Sequence, residues 1–535
     1  MFKISLITKG VILLMRNKKF YVTLILILFA SFLLLTADMS RAATYESGTY
    51  SATTSGTHAI EADGTTDTYT NPTVTKTGDV SGQDDDYDWV GTNAAVWAGN
   101  GAVLTITGGT INSNAKYGNA VFSYGGTNSN TNNNQGDGTT VNISGTTITT
   151  TSNNSGGIMT TGGGIMNATN LTIKTSGGSS AAIRSDSGGG TVTVSGGTYE
   201  TSGTGSPAIY STAAITVTGA DLTATNSQGV VIEGGNSVTL TSCDINANHA
   251  TKNGQDTTRQ AVLLYKSMSK DASSGTSAFT MTNGSITNTI GDIFCVTNTT
   301  CTIDLSNVTI TNNGSGYFLR AEEQAWGTSG SNGGTVTLTA NSQDISGNIA
   351  IGSTSSLTMT LKDKSTFKGQ IIASSSASVS SSAVNTSATG GTVNVTVEAG
   401  SKLTLTGNST VSSITLSDTS DVDYGNYTLT VNGTSYSSSN TLPTGTTGST
   451  SSGATTNDDD NTTSDTDSTG DSGSSGDTGT GTDNQSNTNT NDGTSGNNST
   501  GTSTISSSNG GCVLMSNGVL SLLGLALLMR KKIRS

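Results

Sequence analysis

Residues 191–211 read TVTVSGGTYETSGTGSPAIYS, residues 214–233 read AITVTGADLTATNSQGVVIE, and residues 237–265 read SVTLTSCDINANHATKNGQDTTRQAVLLY. The three lines carry one pattern. Each opens on alternating apolar residues, Val192/Val194, Ile215/Val217 and Val238/Leu240, the period of a strand with one buried side. Seven positions after the first of these stands another apolar residue, Tyr199, Leu222 or Ile245. Each line then closes on a short apolar run: Ala208-Ile209-Tyr210, Val230-Val231-Ile232 or Ala261-Val262-Leu263. Three short strands in a repeat of roughly 22 residues predict a β-solenoid, in which every coil buries its few apolar side chains against its neighbours.

The pattern extends in both directions. The seven-residue pair recurs as Leu104/Ile111, Val141/Ile148, Phe279/Ile286 and Ile303/Ile310, and the third run as Val121-Phe122, Ile158-Met159, Phe294-Cys295 and Phe318-Leu319. A coil from Leu171 shows a first and a third strand (Leu171/Ile173, Ile183) but no second. More degenerate coils open at Val336, Leu357, Val393 and Leu403, and residues 427–431 form the last strand. Hairpin dipeptides do not mark the junctions, which argues against an antiparallel sandwich. The fold class is therefore all-β: a parallel β-helix of roughly fifteen coils over residues 43–436, about 70 Å long at one strand spacing per coil. Right-handed winding is expected from the general handedness of parallel crossovers.

Composition supports a solenoid over a globular domain. In 535 residues only 11% are charged, 5% are aromatic and Pro occurs three times, while Gly, Ser, Thr and Asn dominate. The net charge is −14, with basic residues crowded at the two ends. So acidic a middle repels phosphate backbones and excludes nucleic-acid binding. Only His58 and His249 are available for histidine chemistry. Cys243, Cys295 and Cys301 lie in adjacent coils, either as one bridge plus a thiol in an exported protein or, the favoured reading, as small apolar core residues.

The ends read as targeting segments. Residues 1–42 form a signal peptide: Arg16-Asn17-Lys18-Lys19, an apolar run over 20–37, then Ser40-Arg41-Ala42. The apolar run is long enough that an uncleaved anchor is the alternative. Residues 437–509 are a Ser, Thr, Gly, Asn and Asp linker that cannot bury a core. Leu442-Pro443-Thr444-Gly445 belongs to that linker. Residues 510–535 begin with Gly510-Gly511-Cys512, continue in an apolar run over 513–529 and end in Arg530-Lys531-Lys532-Ile533-Arg534. This tail resembles the tripartite C-terminal sorting signals of diderm bacteria, in particular the Gly-Gly-Cys type named after the Synergistetes. The resemblance implies an anchor in the inner membrane with its basic end in the cytoplasm, then cleavage near Cys512 and transfer to the surface. A plain C-terminal membrane helix is the alternative; Ser516-Asn517-Gly518 weakens a span and favours processing.

Over residues 50–435 the repeat resembles the right-handed parallel β-helix proteins, a group that includes pectate-lyase-like enzymes and bacterial surface adhesins. The likeness is architectural, and fold does not assign function. A lyase of this shape needs clustered carboxylates and a basic residue. The candidates are Asp84, Asp85, Asp86 and Asp88, with Arg184, and Arg320 beside Glu322 and Glu323. They fall in separate coils, so no shared cleft is expected and an enzyme is not. The acidic run lacks the spacing of a calcium loop, and neither metal nor cofactor is expected.

Two outward columns remain. On the first strand they are Thr105/Thr107, Thr193/Ser195, Thr216/Thr218, Thr239/Thr241, Thr280/Thr282, Thr337/Thr339 and Thr358/Thr360. Such a Thr-x-Thr array is how some ice-binding solenoids present their hydroxyls, but Asn142 and Asp304 interrupt it, and threonine is a common strand residue in any case. On the third strand they are Phe122, Met159, Tyr210, Ile232, Leu263 and Leu319, with Arg184 interposed. An apolar column of this kind forms a contact patch unless the long loops cover it. The chain is thus expected to be an exported, surface-anchored stalk acting in adhesion or cell-surface structure. Its expected partners are a glycan or protein on a host, environmental or neighbouring-cell surface, or a second copy of itself, with the membrane contacted through the C-terminal segment. A polysaccharide lyase or hydrolase is the alternative from another class, and ice binding the third.

Overall fold

The computed structural model describes residues 42–448, apart from 83–85, 127–134, 255, 270, 315 and 374–389. The signal peptide, the sorting tail, Asp84, Asp85 and most of the linker lie outside the described residues.

The chain is a parallel β-solenoid with three faces. Fourteen strands stack on the first face, from Ala43–Tyr45 to Ser413–Leu416. The third face is a 12-stranded parallel sheet from Ile60–Asp63 to Ile371–Ala373. All ladder bonds between these strands run from coil to coil. The expected interior columns are in register: Val192 pairs with Ile215 and Ile215 with Val238, while Tyr199 pairs with Leu222 and Leu222 with Ile245. All six are buried.

The constant seven-residue offset has a local cause. Between the first and second faces the chain turns at a position of left-handed φ, stacked coil on coil: Asn170 (φ 49), Gly196 (φ 67), Gly219 (φ 65), Ser242 (φ 51), Asn283 (φ 59), with Gly197 and Gly284 adding a second positive φ in their coils. Gly and Asn tolerate that conformation best. The register runs unbroken through this corner, with Leu171 on Gly197 and Cys243 on Gly284, so the two flanking strands keep their spacing.

At the corner between the second and third faces, hydroxyls satisfy the buried backbone. The Thr150, Thr175 and Thr201 Oγ1 atoms donate to the carbonyls of Ser155, Ser180 and Ser206 at 2.5, 2.6 and 2.5 Å. The Ser155 and Ser180 N–H groups each donate to the serine hydroxyl one coil later, at 2.9 Å. Much of the Ser/Thr content is therefore internal, where unpaired backbone groups would be costly.

Three readings of the sequence need correction. The coil near Leu171 is complete: its first strand carries Met166 and Ala168 inward, and Leu171/Ile173 lie at the corner and on the second face. Leu403 sits on the second face, paired with Phe367, and opens no coil. The folded part also runs past residue 436. Thr434–Tyr436 and Gly445–Thr447 pair antiparallel with Leu429–Val431 and Ser413–Leu416. Leu442, read as linker, is buried and donates its N–H to Tyr424 Oη at 3.0 Å.

After the tenth coil the cross-section narrows. From Ile148 to Ile158, second face to third, is ten residues, and from Ile310 to Leu319 nine; from Ile345 to Ile349 it is four. The second-face ladder breaks at this step. Thr309–Asn312 pairs only with the coil before it, and Asp344–Ser346 only with the coil after it.

Candidate functional site

The third-face column does not form an open patch. Phe122, Met159, Arg184, Tyr210, Val231, Leu263, Cys295 and Arg320 are successive register neighbours pointing away from the main core. Ile232 and Leu319, expected in this column, belong to inward columns and pack in the main core. Phe122 and Met159 are wholly buried and Leu263 is nearly so. Two covers hide them. The π-helical turn Asp86–Val90 lies over Trp97, Phe122 and Met159, held by Trp97 Nε1 donating to the Val90 carbonyl (2.7 Å) and Thr161 Oγ1 to that of Trp89 (2.6 Å). It passes so close that a Cβ on Gly91 would stand 2.6 Å from the Phe122 ring. Further along, Trp326 packs on Tyr265, ring centroids 4.8 Å apart, and closes over Val231, Leu263 and Cys295.

Beside these covers the outer layer is polar. Arg184 Nη2 lies 2.7 Å from Asp186 Oδ2 and 3.4 Å from Asp88 Oδ1, so the acidic segment and Arg184, expected in separate coils, share one place. Glu233, two coils on from Asp186, is buried. Its Oε2 accepts from Tyr210 Oη (2.5 Å) and Tyr265 Oη (2.9 Å), its Oε1 from the Ser267 and Ser269 hydroxyls, and Lys266 Nζ is 3.7 Å away. Asp271 arrives on the same loop. Burial, with the neighbouring Asp186 and Glu233 charges, pushes its carboxyl up to about 7. Burial also raises Asp186, against the pull of Arg184, and raises the Tyr210 phenol well above its ordinary value, with Glu233 adding to the effect. The sequence held a signal for this cluster: Arg184/Asp186 and, elsewhere, Arg320/Glu322 sit two apart on one strand face.

Arg320 forms a second, more closed network. Its Nε donates to Asp292 Oδ2 (2.6 Å), its Nη1 is 3.3 Å from Glu322 Oε1, and its guanidinium lies 4.6 Å from the Tyr317 ring centre. All three charged groups are at most 5% exposed, which makes this a structural brace. His249 is buried too: its Nε2 lies 3.2 Å from Asp256 Oδ2 without hydrogen-bond alignment, and Asp256 accepts from Gln228 Nε2 (3.1 Å), pinning the insertion after the eighth second-face strand. Cys243, Cys295 and Cys301 are free and buried.

Like the second face, whose outward Lys174 and Glu200 side chains are 63% and 46% exposed, the first face is left bare. Its central outward column runs Thr105, Asn142, Asn167, Thr193, Thr216, Thr239, Thr280, Asp304, Thr339 and Thr360. Thr193 and Thr216 are exposed and the later threonines partly so. Thr337/Thr339 and Thr358/Thr360 sit one outward column across from the earlier pairs, because Thr337 pairs with Thr302 and Thr339 with Asp304. Asn142, Asn167, Asp304 and this offset break the regular lattice an ice face needs.

No helix among the described residues is long and apolar enough to cross a membrane, and no group of three or more metal-ligating side chains occurs among them. No protein family, characterised protein or solved structure matches the chain.

Proposed function

We propose that this protein is an exported, surface-anchored β-helix acting by contact, in adhesion or as a cell-surface stalk, with a glycan or protein of another surface as partner. The observation that carries the proposal is the bare first face: in-register columns of Thr, Ser and Asn, extending over successive coils while the third face is covered by its own loops. Small polar groups of a few kinds repeated coil after coil suit many weak contacts acting together. The test is attachment of the full chain to cells and glycan arrays, compared with a Thr216→Lys/Thr239→Lys variant. Both side chains point away from the core, so melting should be unchanged while attachment falls. Equal attachment by the two proteins would refute a contact role for this face.

A second reading has its own support. Asp88, Arg184, Asp186, Glu233 and Asp271 gather on neighbouring coils, and two strand spacings put Asp186 and Glu233 backbones about 9.6 Å apart. Paired carboxylates at such separations serve glycoside hydrolysis. Glu233 is already saturated by four hydroxyl donors, which argues for a structural role instead. Release of reducing or unsaturated ends from polysaccharides, abolished by Asp186→Asn, would replace the contact reading with an enzymatic one.

A further inference from the structure

The first face carries a second pattern, in the outward column beside its central one. Apolar side chains stand there on alternate coils: Val103, Ile165, Ala214 and Ala278. The coils between and beyond them carry hydroxyls, Thr66, Thr140, Thr191, Ser237 and Thr302. Each of these residues is in register with the next, and none is buried. The apolar members also fall in size along the column, branched first and alanine after. The column points away from the core, so core packing does not impose the alternation.

Charge is sorted as well. Across these nine strands, from Thr66–Thr70 to Thr299–Ser306, Asp304 is the one outward charge among the described residues. The second face of the same coils carries Lys174, Glu200, Asp221 and Asp244. A chain of net charge −14 thus keeps one face on which two copies can meet with little repulsion.

Reversed about Thr191, the column reads the same by class. Thr191 then faces Thr191 of a second copy, Ile165 faces Ala214, Thr140 faces Ser237, and Val103 faces Ala278. Every branched apolar side chain meets a small one, and every hydroxyl meets a hydroxyl. A two-fold axis along the strand direction at Thr191 performs this operation: it keeps each column opposite itself and reverses the order of the coils. In the central column it sets Asn167 opposite Thr216 and Asn142 opposite Thr239, carboxamide against hydroxyl. Copies running the same way, with this column on itself, would set Ile165 against Ile165 and Ala214 against Ala214, one contact crowded and the other hollow.

The face is large enough for such a pair. Nine strands at about 4.8 Å, each about five residues long, present roughly 40 by 17 Å, or about 700 Å² per copy. A standard interface takes about 800 Å² from each partner, so one pair is expected to be weak, and many anchored pairs together strong.

We propose that the partner of the first face is a second copy of this chain, docked face to face and antiparallel, with the two-fold axis at Thr191. This rests on the contact reading of the first face and names its partner. For a stalk anchored by one terminus, antiparallel copies come from opposing surfaces. The contact is isologous, so it closes as a dimer and does not grow into a filament.

Sedimentation velocity of the full chain in mild detergent should show a monomer–dimer equilibrium. Thr191→Lys and Thr191→Asp each set like charges against one another at the axis, so each alone should raise the dimer dissociation constant about tenfold or more. Thr191 is exposed, so melting should be unchanged. An equimolar mixture of the two variants should dimerise again. Ala214→Ile should weaken the dimer by crowding Ile165 of the second copy, and Ile165→Ala/Ala214→Ile, which exchanges large and small, should restore it. Dimers indifferent to Thr191→Lys, charge variants that stay apart on mixing, or a double variant as weak as Ala214→Ile overturn the proposal. A chain that stays monomeric yet attaches to cells or glycans through Thr216 and Thr239 overturns it too, and leaves the contact reading standing. A chain that neither dimerises nor attaches refutes both.

Discussion

Leu222→Ala, set beside Thr223→Ala, tests the register on which every other statement rests. Leu222 is wholly buried and stacked between Tyr199 and Ile245; Thr223, the next residue on the same strand, points out. Removing the leucine side chain beyond Cβ forfeits about 2.5 kcal/mol of transfer free energy at about 0.8 kcal/mol per carbon. The ladder bonds hold Tyr199 and Ile245 one strand spacing away on either side, so the space cannot close, and a cavity cost brings the total to about 3–4 kcal/mol. Thr223→Ala should stay within about 0.5 kcal/mol. Because each coil touches only its neighbours, the damage should be local as well as global. Urea midpoints followed by circular dichroism give the ranking, and amide exchange gives the location, with protection falling first around residues 199, 222 and 245. Equal costs for the two variants would refute the reasoning, since a slip of one residue turns the strand inside out.

Two further outcomes follow from the buried polar groups. Asp271 holds its proton up to about pH 7 in the folded chain, whereas in the unfolded chain it ionises near 3.9. Between those values the folded form binds the extra proton, so this group's contribution to stability falls as pH rises from about 4 to 7; exchange protection of the loop around residues 266–273, corrected for intrinsic rates, should drop over that window, and Asp271→Asn should abolish the drop. The Cys295 and Cys301 thiols are buried, with burial pushing Cys295 well up and Cys301 up to about 12, so iodoacetamide at pH 8 should label neither until urea is added; rapid native labelling of either would contradict their placement.

The first two faces were legible in the sequence because their strands are buried on one side only and are joined by a corner of fixed length. Val192, Ile215 and Val238 announce themselves by alternation, and Tyr199, Leu222 and Ile245 by their distance from them. The third face resisted for the opposite reason. Val230, Val231 and Ile232 are all apolar because the strand is buried on both sides, by the core and by loops, so alternation cannot say that Val231 and not Ile232 points out. The strand carrying Met166 and Ala168 was missed because a small and a flexible residue stand where branched ones usually do. The gathering of Asp88 with Arg184 crosses 96 positions and depends on a turn folding back over the third face, which leaves no local trace. The narrowing after the tenth coil, by contrast, can be counted in the letters as the interval from second to third strand shrinks.

Because the ladder bonds lie along the axis, a pull applied end to end meets them very differently from a pull across the coils. Tension between the first and last coils opens one ladder at a time, as a zip opens, and does not shear many bonds together. A coil such as that from Val192 to Ile215 spans 23 positions and rises only about 4.8 Å, yet its chain stretches to about 75–80 Å when drawn out. Each coil that yields therefore releases some fifteen times its own height in slack. Under load the molecule would lengthen in steps, the end coils going first because each has a neighbour on one side only. Its resistance at any moment would be that of a single coil. Such a body limits the force it transmits, and the length over which it can do so is set by how many coils it has left to give up.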